Sequence, residues 1–292
     1  MWLLVGGDSE IGAAAYQSFK ARGVTVAATT RRKAKVTADR PFLDLSAPLG
    51  NWEPPSGTSA ACIFAAVARI EACDANPGAS AHVNVTQTLA LADRLLGRGI
   101  PVLFLSTNQV FDGTVPNVAA DAPHSPLTEY GRQKSRAEAE FNSRMERGMP
   151  AAVLRLAKVV SRDMPLLRDW SAKLAAGQPI RAFSDMTMAP VETAMVCDAI
   201  AILMKDAARG VFQLTGPRDL SYLEIGRFIA SELGVARSLV NEGTTIEAGL
   251  PAGSGRMYTT LDSSRLRDRY GIAPPDVLAV VNSVIGAKQR KN

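Results

Sequence analysis

Two pairs of residues in this chain have the types and the spacing to move a proton. Tyr130 and Lys134 stand four apart in "EYGRQKS", and Tyr16 and Lys20 stand four apart in "AYQSFKA". On a helix, positions i and i+4 share a face, so either pair sets a phenol beside an ammonium. A free tyrosine titrates at about 10, and a nearby cation stabilises its phenolate and lowers that value toward the range of a working general acid. The surroundings separate the two pairs. Ser106 and Thr107 end the apolar run "PVLFLST", and a polar loop, "DAPHSPLTE", leads from there to Tyr130. Hydroxyls at such a strand end lie at the crevice where open parallel sheets bind ligands. Thr107 can hold a substrate oxygen while Tyr130 protonates it and Lys134 also holds a ribose. Tyr16 comes one turn into the first helix, beside a glycine loop and with no strand-end hydroxyl before it. It reads as packing, and Lys20 as exposed.

The glycine loop is "VGGDSEIG", and it joins the first strand to the first helix. Helix N-terminal amides and the helix dipole stabilise a pyrophosphate at that position. Gly6, Asp8, Ser9, Glu10 and Ile11 are therefore candidate cofactor contacts. Read at three-residue spacing, the loop is Gly6, Ser9, Gly12. A glycine in the middle lets the backbone approach the phosphates, so Ser9 either crowds them or bonds one of their oxygens. The second strand ends in "AATTRRKAK". NAD-selective folds place an acid there to bond the ribose hydroxyls; this chain offers Arg31 and Arg32 instead. Guanidinium groups match a phosphate in bidentate geometry, which points to the 2′-phosphate of NADP, with NAD still allowed. Arg31 lies closer to the strand end and is the stronger candidate of the two.

The elements that must position these groups alternate from the first residue. "WLLV", "VTVAAT", "AACIFAA", "PVLFLST" and "AAVLRLA" read as strands, each a continuous apolar run. Helical patterns over "IGAAAYQSFKARG", Gly78 to Leu96 and Glu129 to Arg147 separate them. This rhythm predicts an α/β fold with a doubly wound parallel sheet covered by helices on both faces. After about Lys158 the segments shorten and prolines punctuate them. "TAMVCDAIAILMKDA" reads as a helix, "GVFQLTG" as a strand, and "SYLEIGRFIASELG" as a helix capped by Ser221 with Glu224 three residues on. The expected division is a Rossmann domain over 1–160, to which a helix over 189–206 returns. A smaller, interleaved substrate domain takes 161–188 and 207–292.

The 292 residues are 47% hydrophobic and 21% charged, enough to bury a sizeable core and too evenly mixed for disorder. Thirty-three basic residues against 28 acidic ones leave a net charge of +5, which suits an anionic small ligand and falls short of a nucleic-acid surface. The basic tail "KQRKN" reads as solvated. Cys62, Cys73 and Cys197 are scattered, and His82 and His124 are far from them, so no metal spacing exists. The cysteines read as reduced, buried fillers. "MWLLV" is too short for a signal peptide, and no apolar run reaches membrane-spanning length. A cytoplasmic enzyme is the expectation, with no nucleic-acid or membrane partner and a homodimer left open.

"STNQVFDG", "SPLTEYGRQKSRAE", "AVLRLAKV", "GQPIRAFSDMTMAP" and "YTTLDSSRL" together resemble the extended short-chain dehydrogenases/reductases, and within them the dTDP-4-dehydrorhamnose reductase group. The likeness runs over nearly the whole length. It implies that Thr107, Tyr130 and Lys134 form the catalytic set. It implies that a keto group on a nucleotide-linked sugar is reduced by NADPH. It also implies that Asp44 and Leu45 flank the adenine, and that Ala65, Ala66 and Val67 line the ribose and pyrophosphate. Ser106, Leu156 and Ala157 would pass the nicotinamide. Gln109, Val110 and Phe111 would face the sugar, with Lys158 and Arg256 as diphosphate partners. Two departures stand out: Ser9 replaces the middle glycine, and Asn108-Gln109 replaces the Asp-Tyr of that group. Gln109 offers a hydrogen bond without a ring face, which implies a changed sugar or head group. Two further readings fit the same scaffold. One is a nucleotide-sugar epimerase or dehydratase with tightly held NAD. The other is a non-catalytic regulatory subunit, like the beta subunit of methionine adenosyltransferase, which would not need all three catalytic groups.

Overall fold

The structure, a computed structural model, describes residues 1–250 and 255–286. The basic tail therefore lies outside the described residues. Elements are numbered in chain order. The central sheet has six parallel strands in the order β10-β5-β4-β3-β1-β2. They are β1 (Trp2–Val5), β2 (Val26–Ala28), β3 (Ala60–Ile63), β4 (Val102–Thr107), β5 (Ala151–Leu156) and β10 (Gly210–Leu214). β2 to β5 are buried throughout, as continuous apolar runs require when both faces are covered. α1 (Glu10–Ala21) and α7 (Thr193–Lys205) cover one face, where Phe19, Ile200, Leu203 and Phe212 meet. α4 (Thr88–Leu96) and α5 (Glu129–Glu146) cover the other, through Leu91, Leu95, Phe104 and Phe141.

β1 sends the chain to β2 on one side and β3 receives it on the other, so the strand order reverses between β1 and β3. That switch point is where sheets of this type open a crevice. Beyond β2, residues 39–43 run along the edge: the amides of Ala28 and Thr30 donate to the carbonyls of Asp39 and Pro41, and the Leu43 amide donates to Thr30. The helix expected over Gly78 to Leu96 is broken into α3 (Pro77–Ala81), a π-helical turn (His82–Gln87) and α4, following a short α2 (Ile70–Ala75).

The remaining elements form a second cluster. α6 (Pro165–Ala175), α8 (Tyr222–Glu232) and α10 (Val277–Ile285) pack around Leu167, Ile225, Ile229 and Val281. With them are β7 (Ile180–Phe183), paired with β12 (Val240–Gly243), and β8 (Thr187–Met188), paired with β11 (Leu220–Ser221). Two-residue strands β6 (Val159–Val160) and β9 (Val191–Glu192) link the halves. Ser221 and Glu224 form the expected capping box on α8. One boundary differs from the sequence reading. β10, assigned there to the substrate domain, completes the central sheet beside β5, and α9 (Ser264–Tyr270) packs on it through Leu266. A parallel strand beside β5 needs only a crossover, and α7 supplies it.

Candidate active site

Two cavities open along the carboxyl ends of the strands. The first, about 220 Å³, is lined by Gly6, Asp8, Ser9, Arg31, Arg32, Asp44, Leu45, Ala65, Ala66 and Val67, among others. Ten of the residues expected to hold a cofactor thus share one wall. Gly6 has φ +96°, and a β-carbon there would lie 2.7 Å from the Ala65 amide, so only glycine fits this turn. Ser9 caps α1: its hydroxyl accepts from the Gly12 amide at 3.1 Å and donates to the Gly6 carbonyl at 2.8 Å. Its side chain is thus occupied by the turn. Glu10 is exposed in the first turn of α1 and Ile11 packs against the core; neither is part of the wall. Asp44 holds its own turn by accepting from the Ser46 amide at 2.9 Å.

The second cavity, about 500 Å³, lies between the two halves. Thr107, Asn108, Gln109, Thr128, Ala157 and Lys158 line one side, and Met186, Met188, Tyr222, Arg256 and Thr259 the other. Gln109 lies in a 3-10 turn, Asn108–Val110, whose start the Thr107 hydroxyl caps by accepting from the Gln109 amide at 3.2 Å. The Gln109 side-chain oxygen is buried without a protein partner. Arg256 is buried and donates to the Phe111 carbonyl, while its Nη2 has no partner. Val110 and Phe111 form a small apolar cluster with Leu261 and do not line the cavity. Their apolar side chains turn inward and fix the loop, so they serve the site by position. Leu156 is likewise core, and Ser106 is buried beside α5.

Tyr130 and Lys134 start α5, whose cap is the Thr128 hydroxyl accepting from the Gly131 amide at 3.1 Å. Lys134 is buried; its ammonium donates to the Leu105 carbonyl on β4 at 2.8 Å and sits 4.2 Å from the centre of the Phe104 ring. It lies 6.0 Å from the centre of the Tyr130 ring. Neither residue is part of either cavity wall. Burial lowers the Lys134 ammonium to about 8 and pushes the Tyr130 phenol well above its ordinary value. This differs from the sequence expectation of a lowered phenol. Desolvation outweighs the attraction of an ammonium that is itself hydrogen-bonded to a carbonyl.

Behind α5 stands a buried polar network. Glu138 accepts from Arg155 Nε at 2.9 Å and Nη2 at 2.7 Å, and Arg155 also donates to Gln213 on β10 and to the Ala120 carbonyl. His124 joins Arg155 to Ser135 of α5, at 2.8 Å from each. The network ties the loop before Tyr130 to the helix that carries it.

Three positioning residues were not found from the sequence. Asn84, in the π turn, clamps both the amide and the carbonyl of Val67 and donates to Gln133 at 2.7 Å. A π turn inside a helix often marks a functional site, but nothing in the composition of "HVNVTQ" announces one. Gly131 packs on the Gln109 carbonyl so closely that a β-carbon would overlap it. A glycine in the first turn of a helix was the available signal. Arg40 reaches Asp8 at 2.8 Å from the edge of the sheet.

The family model of the RmlD substrate binding domain matches residues 1–289. The chain belongs to this family. The chain is an NAD(P)-dependent oxidoreductase. It is 28% identical over 219 residues to the probable low-salt glycan biosynthesis reductase Agl14 of Haloferax volcanii, covering 72% of this chain and 71% of that one. It is 27% identical over 225 residues to the dTDP-4-dehydrorhamnose reductase of Sinorhizobium fredii, covering 73% and 75%. The fold matches that of the Bacillus anthracis dTDP-4-dehydrorhamnose reductase solved in complex with NADP, with a TM-score of 0.79 at 14% identity, over 98% of this chain and 97% of that one. Among the described residues, no helix is long and apolar enough to cross a membrane, and no group of three or more His, Cys, Asp or Glu side chains could hold a metal ion.

Proposed function

We propose that this protein reduces a keto group on a nucleotide-linked sugar, with NADPH as the hydride source. The observation that carries the proposal is the pairing of two cavities along one sheet edge. The first has a glycine turn at a helix N-terminus and two arginines at the end of β2; the second is lined by the strand-end hydroxyl of Thr107. On this reading the region over 1–160 holds the cofactor, and the cluster around α6, α8 and α10 closes over the sugar.

The residues divide the work as follows. The Gly6 turn and the α1 amides receive the pyrophosphate, since these groups carry partial positive charge toward the cavity. Arg31 and Arg32 face the 2′-phosphate, where NADP differs from NAD. The bound nicotinamide supplies the hydride. Thr107 bonds the substrate oxygen, and Tyr130 gives that oxygen its proton. Lys134, anchored on the Leu105 carbonyl, keeps a positive charge one helical turn from Tyr130. Lys158 and Arg256 face the diphosphate of the substrate across the second cavity. Gln109 presents its free oxygen to a sugar hydroxyl, where a tyrosine would present a ring.

Tyr130→Phe tests the assignment. The variant should lose turnover by about a thousandfold or more, given typical contributions of positioned general acids, and keep its affinity for NADPH. Unchanged turnover with nucleotide-linked keto-sugars would overturn the mechanism. A thermal-shift series with NADPH, NADH and nucleotide sugars tests the binding claims, since a ligand of the native state raises its stability.

A further inference from the structure

The end of β2 carries no acid in the sequence, yet a carboxylate sits there in the fold. Asp8 comes from the glycine loop. Its Oδ2 accepts from the Thr30 hydroxyl at 2.8 Å and from the Arg31 amide at 3.2 Å, both at the end of β2. Its Oδ1 accepts from Arg40 Nη2 at 2.8 Å. Asp8 lines the first cavity together with Arg31 and Arg32. It thus occupies the place from which an acid bonds the ribose hydroxyls of NAD and repels a 2′-phosphate. Burial pushes its carboxyl up, but Thr30, the Arg31 amide and the Arg40 and Arg32 guanidinium groups together hold it below the ordinary carboxylate value, so it is charged at neutral pH.

Arg40 is held at this carboxylate from outside the cavity. Its guanidinium stands 5.7 Å from the centre of the Tyr16 ring, and its Nε is buried without a partner. The neighbouring Asp39 accepts from the Tyr16 hydroxyl and from Lys20 Nζ. The second Tyr-Lys pair of the sequence therefore has a function in the fold. It pins the edge segment, 39–43, to α1 and so brings Arg40 to Asp8.

We infer that Arg40 is a specificity-determining residue for the cofactor: by pairing with Asp8 it cancels the carboxylate bonded to the end of β2, which would oppose a 2′-phosphate, and leaves Arg31 and Arg32 to receive it. Arg40 acts through Asp8 and is not itself part of the cavity wall. The inference rests on the dinucleotide reading given above.

The test measures NADPH and NADH affinities of the full-length protein by calorimetry. Arg40→Met should lower the preference for NADPH over NADH by about tenfold or more, because an uncancelled like charge then faces the phosphate. Adding Asp8→Asn to that variant should bring the preference back to within about threefold of wild type, as a coupled pair requires. Asp8→Asn alone should raise the preference several-fold, and this variant serves if Arg40→Met does not fold. An unchanged preference in Arg40→Met, an equal loss for both nucleotides, or a fall in preference in Asp8→Asn would each overturn the inference. Wild-type protein that binds neither nucleotide would instead remove the dinucleotide reading beneath it.

Discussion

Gly131 of α5 rests directly against the backbone carbonyl of Gln109, with no room for a β-carbon between them. This one contact sets the distance from the helix that carries Tyr130 to the turn that carries Gln109. Helix propensity alone favours alanine over glycine by about 1 kcal/mol. Gly131→Ala should nonetheless destabilise the protein, by roughly 1–3 kcal/mol, because overpacking against a backbone atom forces a shift. The same shift should lower kcat at least tenfold while NADPH affinity changes by less than about threefold. Thermal melting, calorimetry and steady-state kinetics on one preparation decide it.

Lys134 should give the free enzyme an alkaline limit. Its ammonium is lowered to about 8 by burial, so it discharges as pH rises through that value. The pH profile of kcat/KM should therefore fall above about 8, since this parameter reports groups of the free enzyme. Lys134→Arg should move that fall upward or remove it, because a guanidinium stays charged.

The same burial has a stability consequence with a definite sign. Between about 8 and the ordinary lysine value, the unfolded chain holds a proton at Lys134 that the folded chain has lost. Stability from this group rises with pH through that window and is absent below it. At pH 7 the buried charge is a cost, so Lys134→Met should raise the melting temperature by about 2 °C or more even as it removes activity. A lower melting temperature would mean that the Leu105 and Phe104 contacts outweigh desolvation.

Glu138 is the counter-charge of Arg155, and both are out of solvent. Removing one member of such a pair leaves the other buried and unpaired, at a cost of about 3–5 kcal/mol. Glu138→Gln should show that loss in denaturant unfolding at pH 7. Burial pushes the Glu138 carboxyl up, but His124, Arg155 and Ser106 together hold it below its ordinary value. Its contribution is thus complete above the ordinary carboxylate range and disappears as pH falls through the lowered value, and the variant should unfold with a flatter acid limb.

Arg31 and Arg32 supply the simplest cofactor test. Replacing both with alanine should weaken NADPH binding by about tenfold or more and change NADH binding far less, since only NADPH carries the 2′-phosphate. Calorimetric titration with each nucleotide reads the difference directly.

The sheet was legible in the sequence because β1 to β5 are short, continuous apolar runs. The capping box of α8 and the packing role of Tyr16 followed from local spacing as well. What escaped was set by contacts remote in the chain. Asp8 meets Arg40 only because residues 39–43 lie along the edge of β2. β10 reads like any short strand, and its place beside β5 depends on α7 crossing the sheet. The i, i+4 spacing put Tyr130 and Lys134 on one face correctly, but spacing carries no information about burial, and burial is what raises one pKa and lowers the other. Only the resemblance pointed Val110 and Phe111 toward a sugar; their apolar side chains pack with Leu261 instead.

The place of Gln213 bears on how the chain is made. This residue joins the network through Arg155, which precedes it by 58 positions, and its strand closes the open edge of β5. A nascent chain that has emerged only as far as residue 160 therefore has an exposed sheet edge and a buried guanidinium short of a partner. The amino-terminal region cannot complete its sheet on the ribosome ahead of the rest; it waits for a strand that follows α6, β7 and β8 in the chain. Splitting the gene at that boundary should yield two fragments that dissolve and function only when produced together.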